Sequence, residues 1–438
     1  IAPSPSGFLH IGTAKTALYN WLLARKHGGA FVLRLEDTDA ERSDAAYVSA
    51  MCDGFKWLGI DWDEGPPFGD EPQKGGYGPY LQSQRREFHR EAALRLLEEG
   101  KAYKCFCTKE ELDAMREQAR KEGRTRYYTG KWRDAPPEQI SAMGDAPYAI
   151  RFRVPEGETV IHDLIQGEVR VNNAEFDDFI ILRANGAPMF HLAVVVDDAM
   201  MKISHIIRGD DHLTNAALHV MLFNALGYEL PQMAHHPLVH DENGKKFSKR
   251  LHGANVLDWR ADGYLPEAII NYIALLGWTS EEELNREFFT LDELIERFSI
   301  ERVGKSAARF DRKKLDWLNG QHIRQLDLAN LRDRLVAILE HAGLDTSTKT
   351  EAWLTRMAEV CQEKLPTLNR VVELTDFFFQ EVTGYDEKAV RKNWAKEDAL
   401  ENMRAARRTM AEIEHWDHDR IKAAFEALQL VIPFREES

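Results

Sequence analysis

Near the start of the chain, Ala14, Ala17, Leu18, Trp21 and Leu22 recur at helical spacing and predict a helix. Pro3, Pro5 and Gly7 break regular structure before it, and Gly28-Gly29 stops it. Ala30 to Leu35 is a short apolar run with β-branched and aromatic members, suited to a buried strand, and it ends in Glu36-Asp37-Thr38-Asp39. Acidic residues at that end stand where an open α/β sheet makes its ligand contacts. Loop, helix, strand and polar tip together predict half of a nucleotide-binding unit. The other half comes much later. Ala193 to Val196 and Ser204 to Arg208 read as strands, followed by Asp210-Asp211-His212 and a helix over Ala216 to Leu226 that ends at Gly227. Residues 81–192, with strands of their own at Tyr148 to Val154 and Glu168 to Val171, read as a domain inserted between the halves. From residue 319 onward the pattern is helical, with Leu328, Leu331, Leu335, Ile338 and Leu339 forming an apolar stripe.

Composition narrows the class. With 438 residues the chain exceeds one hydrophobic core, so two to four domains are expected. No stretch approaches eighteen uncharged apolar residues, so no membrane association is expected. The opening Ile1-Ala2-Pro3-Ser4-Pro5 resembles no secretory signal, and four cysteines are too few for a disulfide framework, so a cytoplasmic protein with reduced thiols is expected. A net charge of −15 argues against a nucleic-acid partner only on average, because binding depends on where basic residues sit. Two clusters keep RNA in play: Arg116, Arg120, Lys121, Arg124, Arg126, Lys131 and Arg133, then Lys305, Arg309, Arg312, Lys313 and Lys314.

Two segments carry candidate chemistry. In Pro3-Ser4-Pro5-Ser6-Gly7-Phe8-Leu9-His10-Ile11-Gly12-Thr13, the start of a helix offers N–H groups and positive partial charge to phosphates. Gly12 lets a nucleotide approach the backbone, and His10 can donate to phosphate oxygens as charge builds on them. In Lys246-Phe247-Ser248-Lys249-Arg250, two lysines three apart beside an Asn243-Gly244 turn can close over a triphosphate.

His10-Ile11-Gly12 resembles the His-Ile-Gly-His element of class I aminoacyl-tRNA synthetases, and Lys246 to Arg250 resembles their Lys-Met-Ser-Lys-Ser loop. Leu35-Glu36-Asp37-Thr38-Asp39, Trp57-Leu58-Gly59, Ile207 to His212 and Asn271 to Trp278 narrow the resemblance to the glutamyl-tRNA synthetases, and the helical C-terminal part resembles their bacterial members. The resemblance implies a multidomain α/β plus all-α fold. A Rossmann-like parallel sheet (1–80 and 193–232) is interrupted by an acceptor-binding domain (81–192), then come a stem-contact domain carrying the lysine loop (233–318) and an α-helical anticodon-binding region (319–438). It implies ATP with Mg²⁺, L-glutamate and tRNA(Glu) as partners, and a monomer. Ala2, Ser4, Glu36, Phe190 and Arg208 are expected around the glutamate, with Glu36 receiving its ammonium and Arg208 a carboxylate. His10, Gly12, Asp211, His212, Phe247 and Lys249 are expected around ATP, and His10, Lys246 and Lys249 at the phosphates.

The chain also departs from that pattern. Family members place an arginine just ahead of the Ala-Pro-Ser-Pro run, which is expected to precede Ile1. Phe190 stands where a tyrosine is usual. Cys105-Phe106-Cys107 is half of a zinc motif, but Lys131-Trp132-Arg133-Asp134 supplies no second pair of ligands, so no structural zinc is expected; Cys52 and Cys361 read as small buried side chains. Lys364 takes the position of an arginine that reads the anticodon in discriminating relatives, which keeps tRNA(Gln) as a second acceptor. The alternatives are therefore a non-discriminating enzyme and a non-catalytic tRNA-binding paralogue.

Overall fold

The computed structural model describes residues 1–5, 7–38, 45–245, 255–281, 285–396 and 398–431. The first helix, Ile11–Lys26, starts on His10, whose Nδ1 accepts a hydrogen bond from the Gly12 N–H at 3.1 Å. Arg25 and Lys26 occupy its last turn, where the helix dipole favours cations, and Gly28 follows at φ +62°. Ile11, Ala14, Leu18 and Leu22 on this helix are fully buried, and so is Lys15. The helix therefore threads the core, and its N-terminus opens into the cleft described below.

The segment predicted as the first strand is extended but only sparsely paired. It forms parallel bridges at Val32 to Glu64 and Leu35 to Leu81. On its other side Arg34 N donates to Ile1 O and Glu36 N to Pro3 O, both at 3.0 Å. Loops rather than strands flank it, so no continuous ladder forms. Among the described residues the strands are β1 (Ala102–Cys105), β2 (Ala149–Phe152), β3 (Glu158–Asp163), β4 (Gly167–Asn172), β5 (Phe179–Leu182), β6 (His205–Gly209), β7 (Gln232–His236), β8 (Val239–His240) and β9 (Ala308–Arg309). β1, β2 and β5 form an antiparallel sheet within the inserted segment. A second sheet runs β4-β3-β7-β6: β6 and β7 are parallel from His205–Gln232 to Gly209–His236, and β3 joins β7 in parallel at Asp163–Met233. The β3–β4 hairpin thus extends the sheet that β6 and β7 form later in the chain.

The run Ala193 to Val196, read from sequence as a strand, lies instead in the helix Phe190–Met200. Every residue from Leu192 to Asp198 is buried. An apolar run with no solvent-facing side has no periodicity to separate helix from strand. The helix Leu213–Leu226 ends on Gly227 in the left-handed region, as the sequence suggests.

Ile1–Ile338 together with Lys349–Val371 forms one compact unit; Leu339–Thr348 with the chain from Val372 onward forms another. In the first, one core gathers Leu18, Phe55, Trp259, Ile273 and Trp278, and another Phe152, Ile181, Leu192, Val195 and Phe223. The second is helical, with Ala399–Ala411 and His418–Val431 as its longest elements. Among the described residues no helix is long and apolar enough to cross a membrane.

Candidate active site

A cleft of about 470 Å³ opens at the N-terminus of the first helix. Ala2, Ser4, His10, Gly12, Glu36, Phe190, Arg208, Asp211 and His212 all line it, drawn from segments more than two hundred residues apart. Its size suits a nucleotide or an amino acid. At its floor, His10 Nε2 lies 3.2 Å from Thr13 Oγ1. A Cβ on residue 12 would come 3.0 Å from His10 Cε1, so Gly12 makes room first for the histidine ring. Thr16 Oγ1 contacts His236 Nε2 at 2.9 Å, and Asn20 Nδ2 donates to Ile207 O at 2.8 Å, tying the helix to β6 and β7.

One wall is built on Arg34, Glu36 and Asp198. Arg34 is 3% exposed and donates from Nη1 to Asp198 Oδ1 at 2.6 Å; its Nη2 lies 3.6 Å from Glu36, and its Nε lies 3.8 Å from Asp197. Asp197 in turn accepts from Arg85 Nε (2.6 Å), His89 Nε2 (2.8 Å) and Gln82 Nε2 (2.9 Å). Burial raises the Glu36 carboxyl to about 7, and the Arg34 guanidinium only partly offsets it.

A second part of the lining is built on Arg208 and imidazoles. Arg208 Nε donates to His235 Nε2 at 3.0 Å and Nη1 to His219 Nδ1 at 3.3 Å, while Nη2 has only a long 3.5 Å approach to His212 O. Among the described residues no carboxylate pairs with it directly. His219 is fully buried, and burial, helped by the Arg208 charge, holds it well below the ordinary histidine range. The same causes lower His191 to about 4, so both rings are neutral near pH 7. The Phe190 ring stands before them, 5.8 Å from His219 and 6.3 Å from His212 between centroids.

Lys246, Phe247 and Lys249 lie outside the described residues. Lys364 is exposed in the turn after the helix Glu351–Gln362 and is not part of the cleft. Cys52 and Cys361 are buried. Cys105 Sγ accepts from Arg151 Nε at 3.3 Å, in a packed cluster where the Arg151 guanidinium stacks 3.8 Å from the Tyr128 ring. Among the described residues no group of three His, Cys, Asp or Glu is arranged to hold a metal. The basic runs are largely matched by local acids: Arg116 by Asp113, Arg124 by Glu122, Lys131 by Glu111 and Lys314 by Glu287. Sequence reasoning missed Arg34, Asp198 and His236 in the lining. A lone arginine inside the apolar run 30–35 and paired acids ending the run 192–196 were the available signals.

Residues 1–317 match the family model for the catalytic domain of class I tRNA synthetases (E and Q), and residues 328–430 match an anticodon binding domain. The chain is 44% identical over 435 residues to a glutamate–tRNA ligase of Moorella thermoacetica, covering 98% of this chain and 87% of that one. It is 43% identical to glutamate–tRNA ligase 1 of Caldanaerobacter subterraneus subsp. tengcongensis, covering 98% and 86%. A crystal structure of a glutamate tRNA ligase from Elizabethkingia meningosepticum, in complex with its amino acid, superposes with a TM-score of 0.87 at 30% identity, covering 98% and 89%.

Proposed function

The chain belongs to the class I tRNA synthetases (E and Q), and on that premise we propose that it is a glutamate–tRNA ligase. It activates L-glutamate with ATP, the nucleotide that ligases of this class use, and joins the product to tRNA(Glu). A glutamate carboxylate oxygen attacks the α-phosphate, the bond to pyrophosphate breaks, and glutamyl-adenylate forms. A terminal ribose hydroxyl of the tRNA then attacks the mixed anhydride, loses its proton and releases AMP. No covalent enzyme intermediate is required; positioning and preorganised electrostatics carry the rate.

The observation that carries this reading is the charge arrangement of the cleft. Arg208 spends its Nε and Nη1 donors on imidazole nitrogens and, among the described residues, pairs directly with no carboxylate, which leaves it open to an anionic ligand. Glu36 faces the same cavity as a carboxylate in waiting. A cation and an acid lining one cavity complement an amino acid's carboxylate and ammonium. His10 and Gly12, at a helix N-terminus, suit the nucleotide phosphates, with Asp211 and His212 beside them. Lys246 and Lys249 are assigned to the phosphates and Phe247 to the ATP site. Mg²⁺ accompanies the triphosphate. Ala2, Ser4 and Phe190 complete the glutamate pocket.

The domain roles follow: 1–80 and 193–232 for catalysis, 81–192 for the acceptor end, 233–318 for the stem and 319–438 for the anticodon, in a cytoplasmic monomer. The test is glutamate-dependent ATP–pyrophosphate exchange with and without tRNA. Exchange that requires glutamate and tRNA supports the reading; exchange driven equally by glutamine, or none with any tRNA, overturns it. Charging purified tRNA(Glu) and tRNA(Gln) side by side decides the role given to Lys364: equal charging marks a non-discriminating enzyme.

A further inference from the structure

We propose that Asp163 and His235, which lie behind the cleft and outside its lining, are positioning residues that set the aim of Arg208 and thereby the affinity for glutamate. The inference rests on the reading of Arg208 as the carboxylate-binding group. Its basis is the direction of the hydrogen bonds. An arginine Nε always carries a proton, so His235 Nε2, 3.0 Å from Arg208 Nε, must present its lone pair. The ring's proton is then on Nδ1, which donates to Asp163 Oδ2 at 2.6 Å. Asp163 has the means to stay ionised. Burial pushes its carboxyl up, but the His235 bond and the N–H groups of Gln166 (2.7 Å) and Ile165 (2.9 Å) on Oδ1 outweigh it. On the far side Arg208 Nη1 requires a lone pair on His219 Nδ1, so His219 carries its proton on Nε2 and donates to His191 Nδ1 at 3.2 Å. One carboxylate and one guanidinium thus fix the tautomers of three rings.

The arrangement has a functional consequence. A carboxylate bonded directly to Arg208 would neutralise it. Asp163 instead sits one imidazole away, so it orients the guanidinium while leaving Nη2, held only by the long approach to His212 O, and most of the charge to a ligand. Asp163 reaches this place because β3 pairs with β7 at Asp163–Met233, two residues before His235. The inserted segment therefore supplies part of the amino-acid site from behind.

Asp163→Asn is the discriminating variant. Its Oδ1 still accepts from Ile165 and Gln166, but its amide now donates to His235 Nδ1, which moves the ring proton to Nε2 and against Arg208 Nε–H. A carboxylate that orients a metal-ligating histidine commonly contributes about 10–100-fold to affinity or activity; Asp163 orients His235 in the same way toward a guanidinium instead of a metal, and a rise of that order in KM for glutamate is expected, with KM for ATP within about twofold. His235→Phe should behave alike. His235→Gln, whose Oε1 accepts from Arg208 without help from Asp163, should stay near wild type, and adding Asp163→Asn to it should cost little. The measurement is tRNA-dependent exchange, with circular dichroism to establish folding; if Asp163→Asn does not fold, the Phe and Gln pair at 235 decides. A glutamate KM unchanged in Asp163→Asn, an equal rise in both KM values, or equal effects of Phe and Gln overturns the proposal. Arg208→Ala separates the two levels. If it leaves glutamate KM unchanged, the underlying reading of Arg208 fails; if it raises KM while Asp163→Asn does not, only the positioning role fails.

Discussion

Two arginines face one cleft and are held in opposite ways. Arg34 is buried among Asp198, Asp197 and Glu36, with its shortest bond at 2.6 Å. Arg208, half-buried, leans on His235 and His219, which take its hydrogens without cancelling its charge. An arginine amid three acids is scaffolding: its charge is spent, and its service is to let a cluster of carboxylates exist inside the protein. An arginine among neutral acceptors is oriented but not spent. The difference teaches that what matters for function is less the presence of a buried cation than the charge state of whatever holds it.

The sharpest way to break the comparison is to remove each cation in turn. Arg34→Ala leaves Asp198 buried without its partner, and removing one member of a buried ion pair typically costs about 3–5 kcal/mol. Urea unfolding should register a loss of that order; a loss under about 1 kcal/mol would mean that Arg34 is not scaffolding. Arg208→Lys keeps a positive charge but loses the planar fork, since one ammonium cannot serve His235, His219 and a ligand carboxylate in the same geometry. Its expected cost falls on kcat/KM for glutamate, about 10–150-fold, the equivalent of about 1.5–3 kcal/mol, with unfolding nearly unchanged. If the two variants exchange phenotypes, the assignment of roles is reversed.

How much of this was legible in the sequence depends on how far apart the partners lie along the chain. The loop and helix around His10 and Gly12 and the acid at Glu36 were readable because short contiguous segments carry both the structural and the chemical signal. Arg34 was passed over because one charge inside Phe31 to Leu35 does not disturb the apolar pattern that marks a strand. The pairing of Asp163 with His235 spans 72 positions and depends on a single parallel bridge between β3 and β7, which no local pattern encodes. The helix Phe190–Met200 was misread for a related reason: complete burial erases the alternation that identifies an element, so Val194, Val195 and Val196 left only their β-branching as evidence.

A gentler probe uses pH on the Arg34 wall. The Glu36 carboxyl, raised to about 7 by burial, is mostly protonated in the free cleft below that pH and ionised above it. A ligand ammonium pairs only with the ionised form. KM for glutamate should therefore rise as pH falls below about 7, approaching tenfold per pH unit, while KM for ATP stays flat. Glu36→Gln should bind glutamate poorly at every pH and lose the slope. A wild-type KM that is level between pH 6 and 8 would detach Glu36 from the ammonium and leave the comparison resting on Arg208 alone.

The smallest expected effect asks how complete the Arg208 wall is. Phe190 lines the cleft and is 36% exposed, so a hydroxyl added to its ring would meet water or ligand rather than an apolar interior. The ring itself, 5.3 Å from His191, 5.8 Å from His219 and 6.3 Å from His212 between centroids, is kept by the change. Phe190→Tyr should leave stability unaltered and, through one added hydrogen bond of about 0.5–1.5 kcal/mol, lower KM for glutamate by about 2–12-fold. A lowered KM for glutamate but not for ATP would locate the amino acid against Phe190, on the imidazole side of the cleft. If neither value moves, the amino acid does not reach the ring, and Arg208 binds its carboxylate without help from that position.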